Sequence, residues 1–258
     1  MITFFRKARK KLLTENKFSK YLIYAIGEIA LVVIGILIAL QINNNNDLRK
    51  ERIKELHYLQ NIKSDLIINI DEMKHYIETR NDLISAAQRI LEYFEGKPLI
   101  DLEAFNADGL GIYSWQKFYQ NNNTFQELVN SGNLAMITNE LIKNRLMGIE
   151  LLYKKMKYEE DHFRFDTENN LYKPIYANLD LNPMIKNVEF YLSKGKSGTE
   201  TIIPNDYFDE FLRNTNIKNG FVLTVLEFTT LNGQMQEMIE ESEKLMTSIS
   251  NEIGKDVK

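Results

Sequence analysis

The chain has 258 residues, 26% charged and 44% hydrophobic, with a formal net charge of −4. This composition excludes a wholly disordered chain and a multi-spanning membrane bundle, and the length suits one or two domains. There is no cysteine, which excludes disulfides, thiolate metal ligands and cysteine nucleophiles.

Charge is unevenly spread. Residues 1–42 sum to +5, through Arg6, Lys7, Arg9, Lys10, Lys11, Lys17 and Lys20 against Glu15 and Glu28, so the remainder carries −9. An acidic remainder argues against nucleic acid as a partner, because phosphate binding needs a basic surface. Residues 1–20 read as a basic tail. Residues 21–42 (YLIYAIGEIALVVIGILIALQI) hold Glu28 as their only charge. At 1.5 Å per residue they span about 33 Å, close to the ~30 Å hydrocarbon core of a bilayer. The run is longer than the apolar region of a cleaved signal peptide, and its Ala39-Leu40-Gln41 exit lacks the small-residue cleavage pattern. It is expected to be a retained membrane anchor. The excess of Lys and Arg before the helix predicts a cytoplasmic N-terminus and an exported C-terminal part at the inner membrane, periplasmic in a Gram-negative cell.

One face of the anchor reads as a helix contact surface. Ala25, Glu28, Val32, Gly35 and Ala39 recur at three- and four-residue steps, while Ile29, Val33, Ile36 and Leu40 suit lipid. Gly35-x-x-x-Ala39 is a small-xxx-small pair that lets two backbones approach. The partners this implies are the lipid bilayer and a second membrane helix, from another copy or another protein. Glu28 lies about 5 Å from the middle of the run, where an acidic side chain is costly and is a functional candidate by default.

The opening MITFFRKARKKLLTENKFSKYLIYAIGEIALVVIGILIALQINN resembles a family of single-pass, N-terminally anchored membrane proteins of Bacteroidota, a domain of unknown function. The carriers are the basic start, the Gly27-Glu28-Ile29 step and the run from Gly35 to Asn44. The segment Thr124–Ile137 (TFQELVNSGNLAMI) is also similar to one in the family's soluble part. Asn45-Asn46 depart from the pattern, standing where an aromatic follows the paired Asn. The resemblance implies a membrane location and no activity.

Residues 43–258 are expected to form an exported, all-α, elongated antiparallel bundle. The first long helix, 47–95, carries Leu56, Leu59, Leu66, Ile70, Met73, Ile77, Ile84, Ala87, Leu91 and Phe94 at heptad-like spacing. Lys63 and Arg80 interrupt the stripe, and Gly96 with Pro98 ends it. Steps of seven from Glu28 land on Gly35, Ile42, Arg49, Leu56, Lys63, Ile70, Ile77, Ile84 and Leu91. That phase predicts one continuous helix from membrane to stalk, with no break at Asn43–Asn46. The aromatics Tyr113, Trp115, Phe118, Tyr119 and Phe125 read as helix packing rather than as a pocket. Thr124 and Glu127 form a capping-box pattern for a helix at 124–131. Thr138 is the expected cap of a helix at 138–171, with Leu141, Ile142, Leu146, Ile149, Leu152 and Met156 inward. Residues 172–205 hold Pro174, Pro183 and Pro204 and read as a long connection of unassigned role. Asp206 is the expected cap of a helix at 206–214. The last helix, 217–253, places Phe221, Val225, Phe228, Leu231, Met235, Met238, Ser242, Leu245 and Ile249 against the first.

The chemical signals are weak. Glu72–His75 and Glu159–His162 match the Glu-x-x-His spacing of di-iron bundles. The phase that turns Ile70 and Met73 inward turns Glu72 and His75 outward, and Glu159 and His162 sit in a charge run. Gly195-Lys196-Ser197 lacks the earlier glycine of a phosphate-binding loop, since position 190 is Phe. No catalytic, cofactor-binding or metal residue is assigned, and an enzyme is not expected. The function expected is that of a membrane-anchored interaction or scaffold protein. The alternative is a component of an ion-driven motor or transport complex using Glu28; a di-iron enzyme is the third reading.

Overall fold

The computed structural model describes residues 6, 7, 10, 18–204 and 206–255. Most of the basic tail therefore lies outside the described residues. All regular structure among them is helical. In chain order the α-helices are α1 (Phe18–Phe94), α2 (Leu102–Gly111), α3 (Asn123–Asn130), α4 (Glu140–Thr167), α5 (Lys173–Asn178), α6 (Leu181–Leu192), α7 (Asp209–Arg213) and α8 (Thr215–Gly254). The all-α expectation holds. The chain divides into two units at His57/Tyr58, so residues 43–57 group with the apolar segment rather than with the bundle.

The first unit contains the N-terminal part of α1, whose 77 residues run unbroken through Asn43–Asn46. Asparagine costs about 0.5 kcal/mol per position relative to alanine in a helix. Side-chain hydrogen bonds one turn apart offset this: Gln41 Nε2 donates to Asn45 Oδ1 at 3.1 Å, and Asn43 Nδ2 to Asp47 Oδ2 at 3.1 Å. From Ile29 to Glu51 every residue is exposed.

The second unit is built on the C-terminal part of α1 with α4 and α8. Cross-helix contacts fix their directions. Lys63 meets Ser250, Arg80 meets Met235, and Asn232 donates to Asn81. One number falls as the other rises, so α8 runs antiparallel to α1, as the apolar stripes predict. On the other side Asn139 meets Glu252, Arg145 meets Glu241 and His162 meets Glu227. Hence α8 is antiparallel to α4 as well, and α1 and α4 run parallel. The stripe residues Leu59, Leu66, Ile70, Met73 and Ala87 are buried, as are Phe221, Phe228, Leu231, Met235, Met238, Ser242, Leu245 and Ile249. On α4 Ile142, Leu146, Ile149 and Met156 are buried, Leu152 is half-buried and Leu141 is 55% exposed.

Local starts and stops differ from the sequence reading in instructive ways. The capping box at Thr124 does not form. Thr124 is buried inside the first turn of α3 and its N–H goes to Asp65 Oδ2 of α1, while Glu127 accepts from Tyr58. Tertiary partners outcompete the local cap. Asn139, not Thr138, caps α4, its Oδ1 accepting from the N–H groups of Leu141 and Ile142. Asp206 caps nothing with its side chain; α7 starts three residues later, after Phe208. Gly96 has φ +101° just beyond α1, as its stop position requires.

The segment 172–205 is helical for much of its length up to Leu192 and irregular from 193 to 204. A π-helical turn (Glu168–Tyr172) leads into α5, and Asp180 caps α6 by accepting from Asn182 N–H. The prolines mislead because Pro174 and Pro183 sit at or near helix starts, where a missing N–H costs nothing. Helix α6 lies against α2, with Asn106 Nδ2 donating to the Met184 carbonyl at 2.8 Å and to Asn187 Oδ1 at 3.0 Å.

The π turn brings Leu171 against Gly220 of α8: a Cβ at Gly220 would stand 2.4 Å from Leu171 Cγ. Gly220→Ala is therefore expected to cost about 1–3 kcal/mol through overpacking. Gly233→Ala on the same helix meets no atom within 4 Å and should gain up to about 1 kcal/mol from helix propensity. Thermal unfolding of the two variants should shift in opposite directions.

Candidate functional site

The interior of the second unit holds charges on facing helices. Arg80 continues the inward steps of Met73 and Ile77 on α1. Glu160 continues those of Met156 toward Phe163 and Thr167 on α4. Both are buried, Arg80 at 2% and Glu160 at 0% exposed. Arg80 Nη2 donates to Glu160 Oε1 at 2.6 Å, and the Phe118 N–H donates to the same oxygen at 3.1 Å. Lys157 Nζ donates to Glu160 Oε2 at 2.7 Å and to the Phe118 carbonyl at 3.0 Å. Glu160 thus ties α1, α4 and the strand-free segment before α3 at one point. A buried carboxylate demands this many partners, since an unpaired one costs several kcal/mol.

Arg80 is less well served. Its Nη1 approaches the Met235 sulfur at 3.4 Å, a weak acceptor, and its Nε is buried with no hydrogen-bond partner. The guanidinium lies 5.6 Å from the Tyr76 ring centre and 5.9 Å from that of Phe228, close enough for cation–π attraction. Burial pulls its pKa below the ordinary arginine value, and Glu160 opposes that pull. A cleft of about 160 Å³ opens beside it, walled by Tyr76, Thr79, Leu83 and Trp115. Ser114, Gln116 and His75 add polar groups.

The aromatic cluster read from the sequence is divided among different roles. Phe118 is fully buried against Tyr76 and Tyr153. Trp115 packs edge-on against Phe163 at 4.8 Å and donates from Nε1 to Tyr172. Tyr113 stacks on Tyr172, and burial pushes its hydroxyl well above the ordinary tyrosine range. Tyr119 is 71% exposed.

The two Glu-x-x-His pairs do not act as the di-iron pattern requires. Glu72 and His75 are exposed, and the carboxylates beside His162 are those of Glu227 and Asp166. His162 Nδ1 lies 3.4 Å from Glu227 Oε1 and 3.8 Å from Asp166 Oδ2. Among the described residues this is the one group of three whose ligand atoms converge as a metal site would need. Burial and the hydrogen-bonded Asp166 carboxylate push the Glu227 pKa from 4.5 up to about 7, with His162 opposing. Two carboxylates meeting at short range share a proton more readily than both ionise.

Sequence reading missed Asp166 and Glu227, and took Arg80 for an interruption of a stripe. A signal existed for the ion pair: opposite charges at inward positions of two amphipathic helices imply each other. Glu227 carries no such signal, because only the packing of α8 on α4 brings it to His162.

On α1 of the first unit, Ala25 and Glu28 are half-buried, and Val32, Gly35 and Ala39 are exposed. Tyr24, Gly27, Glu28, Leu31 and Val32 line a shallow groove. A Cβ at Gly35 would meet nothing within 4 Å, so the close approach that this small-residue face permits is not used by the described residues.

These features define a helical-bundle protein with a buried ion pair and, among the described residues, one helix long and apolar enough to cross a membrane. The chain belongs to a family of unknown function (DUF6090), which it matches over residues 28–173. That stretch contains Arg80, Trp115 and Glu160 but not Glu227. No curated protein and no solved structure matches the chain.

Glu227 gives the unit a defined pH response. The folded state holds this proton to about pH 7, whereas an unfolded glutamate releases it near 4.3. Between those values the folded state binds more protons, so this group's contribution to stability falls as pH rises through the window. Glu227→Gln should flatten the decline in melting temperature between pH 5 and 7.5. An equal decline in both proteins would contradict the assignment.

Proposed function

We propose that this protein is a membrane-anchored interaction protein of the cell envelope. Residues 21–42 cross the inner membrane, the basic tail lies in the cytoplasm and the helical unit works in the periplasm. The reading is carried by one observation: the most apolar 18-residue window of α1 has none of its residues buried. Leu22, Ile23, Ile26, Ile29, Leu31 and their neighbours through Ile42 are each about half or more exposed. Large aliphatic side chains gain about 1.5–3 kcal/mol each on leaving water, and a bilayer offers that gain along the whole segment. Orientation rests on the seven Lys and Arg of residues 1–20. The periplasmic compartment rests on the resemblance to anchored proteins of Bacteroidota.

In this reading the protein binds rather than catalyses. Its first partner is a second membrane helix seated on Ala25, Glu28, Val32, Gly35 and Ala39. The small residues permit close backbones, and Glu28 lies on the same side, within reach of a hydrogen bond to the partner helix. Such bonds contribute about 0.6–2 kcal/mol in membranes, enough to bias association.

Two experiments test this. Alkaline phosphatase fused after Lys258 should be active and a fluorescent protein at the same site dark; the reverse pattern sinks the proposed topology. Single cysteines at Val32 and Gly35 should crosslink in native membranes at least threefold better than those at Val33 and Ile36. Equal crosslinking, with association unchanged in Gly35→Leu, removes the contact face.

A further inference from the structure

The cleft beside Trp115 has an unmet donor in its wall. Arg80, 2% exposed, lines it. Arginine offers five N–H donors. Here one is engaged by Glu160, another reaches only the Met235 thioether, and Nε has no partner.

The charge balance points the same way. Two cations, the buried Arg80 and the half-buried Lys157, share the single carboxylate of Glu160. Lys157 is otherwise satisfied by the Phe118 carbonyl and the face of Tyr119, 4.5 Å from its ring centre. Lys117 and Asp161 pair with each other. Glu72 also acts on Tyr76, but it is exposed and water screens it. The cluster thus carries one positive charge beyond Glu160, and Arg80 brings it to the wall of the cleft.

We propose that this cleft binds a small carboxylate, its charge held by Arg80 and its apolar or aromatic body set against Tyr76, Leu83 and Trp115. A guanidinium presents a planar fork that matches a carboxylate. Thr79, Ser114 and Gln116 provide further polar groups around the same space. The volume, about 160 Å³, sets the size. A cavity of roughly 150 Å³ takes one benzene ring, so the ligand is a fragment of that order and not a nucleotide or a peptide. Water is the competing occupant, and the same volume holds roughly five molecules at ~30 Å³ each. The cleft lies wholly within the second unit.

Trp115 is the chain's single tryptophan, so the cleft carries its own reporter. The full-length protein in non-ionic micelles is titrated with benzoate and, in parallel, with benzamide, which has a similar shape without the charge. Trp115 fluorescence should change saturably with benzoate, at a Kd at least tenfold lower than for benzamide. Thr79→Phe, which fills the cleft and leaves Arg80 and Glu160 in place, should abolish the response while helicity by circular dichroism is retained. Equal or non-saturating responses to the two compounds would overturn the proposal and leave the cleft to water. So would an undiminished benzoate response in a folded Thr79→Phe protein. Should that variant fail to fold, the comparison of benzoate with benzamide on the unmodified chain still decides.

Discussion

A carboxylate with no access to water must be matched by donors on every side, and Glu160 is where the second unit meets that demand. Its two oxygens collect Arg80 from α1, Lys157 from α4 itself and the backbone N–H of Phe118. Removing one partner of such a pair strands the other in a low-dielectric interior. The register of α1 against α4 follows from this contact. So does the path of residues 112–122, which have little regular structure and are held by Phe118 from below and by Asn121 from above. Asn121 N–H donates to Asn69 Oδ1, and Asn69 Nδ2 donates back to the Asn121 carbonyl. The cleft and the Trp115 wall exist because this segment is pinned at both points.

The long helices were legible in the sequence because burial imposes a period on them. The α1 and α8 stripes read at three- and four-residue steps are the buried faces, and continuity through Asn43–Asn46 was legible from the phase shared by the apolar and amphipathic parts. What escaped is what depends on contacts between distant residues. Thr124 has the local signature of a cap, yet Asp65, far away in sequence, takes its N–H. Pro174 and Pro183 looked like breakers and are helix starters. The π turn at Glu168–Tyr172 leaves no pattern of its own, since a single inserted residue merely shifts the helical phase.

The candidate sites follow the same division. Arg80 and Glu160 could be read as a pair from the inward positions of two stripes. The convergence of Asp166 and Glu227 on His162 could not, because α4 and α8 are joined only through the segment between them. The apolar part of α1 is the opposite case: a length and apolarity sufficient to cross a membrane are written entirely in local composition, and the helix only arranges Ala25, Glu28, Val32, Gly35 and Ala39 along one side.

The role of the buried pair is most directly tested by equilibrium unfolding of Glu160→Gln, Arg80→Met and the paired variant Arg80→Met with Glu160→Leu, in the full chain. Each single change should cost about 3–5 kcal/mol, and the paired apolar change should recover part of it, the Phe118 N–H and Lys157 being left without Glu160. Single variants that lose less than about 1 kcal/mol would show that the pair does not hold α1, α4 and the Phe118 segment together.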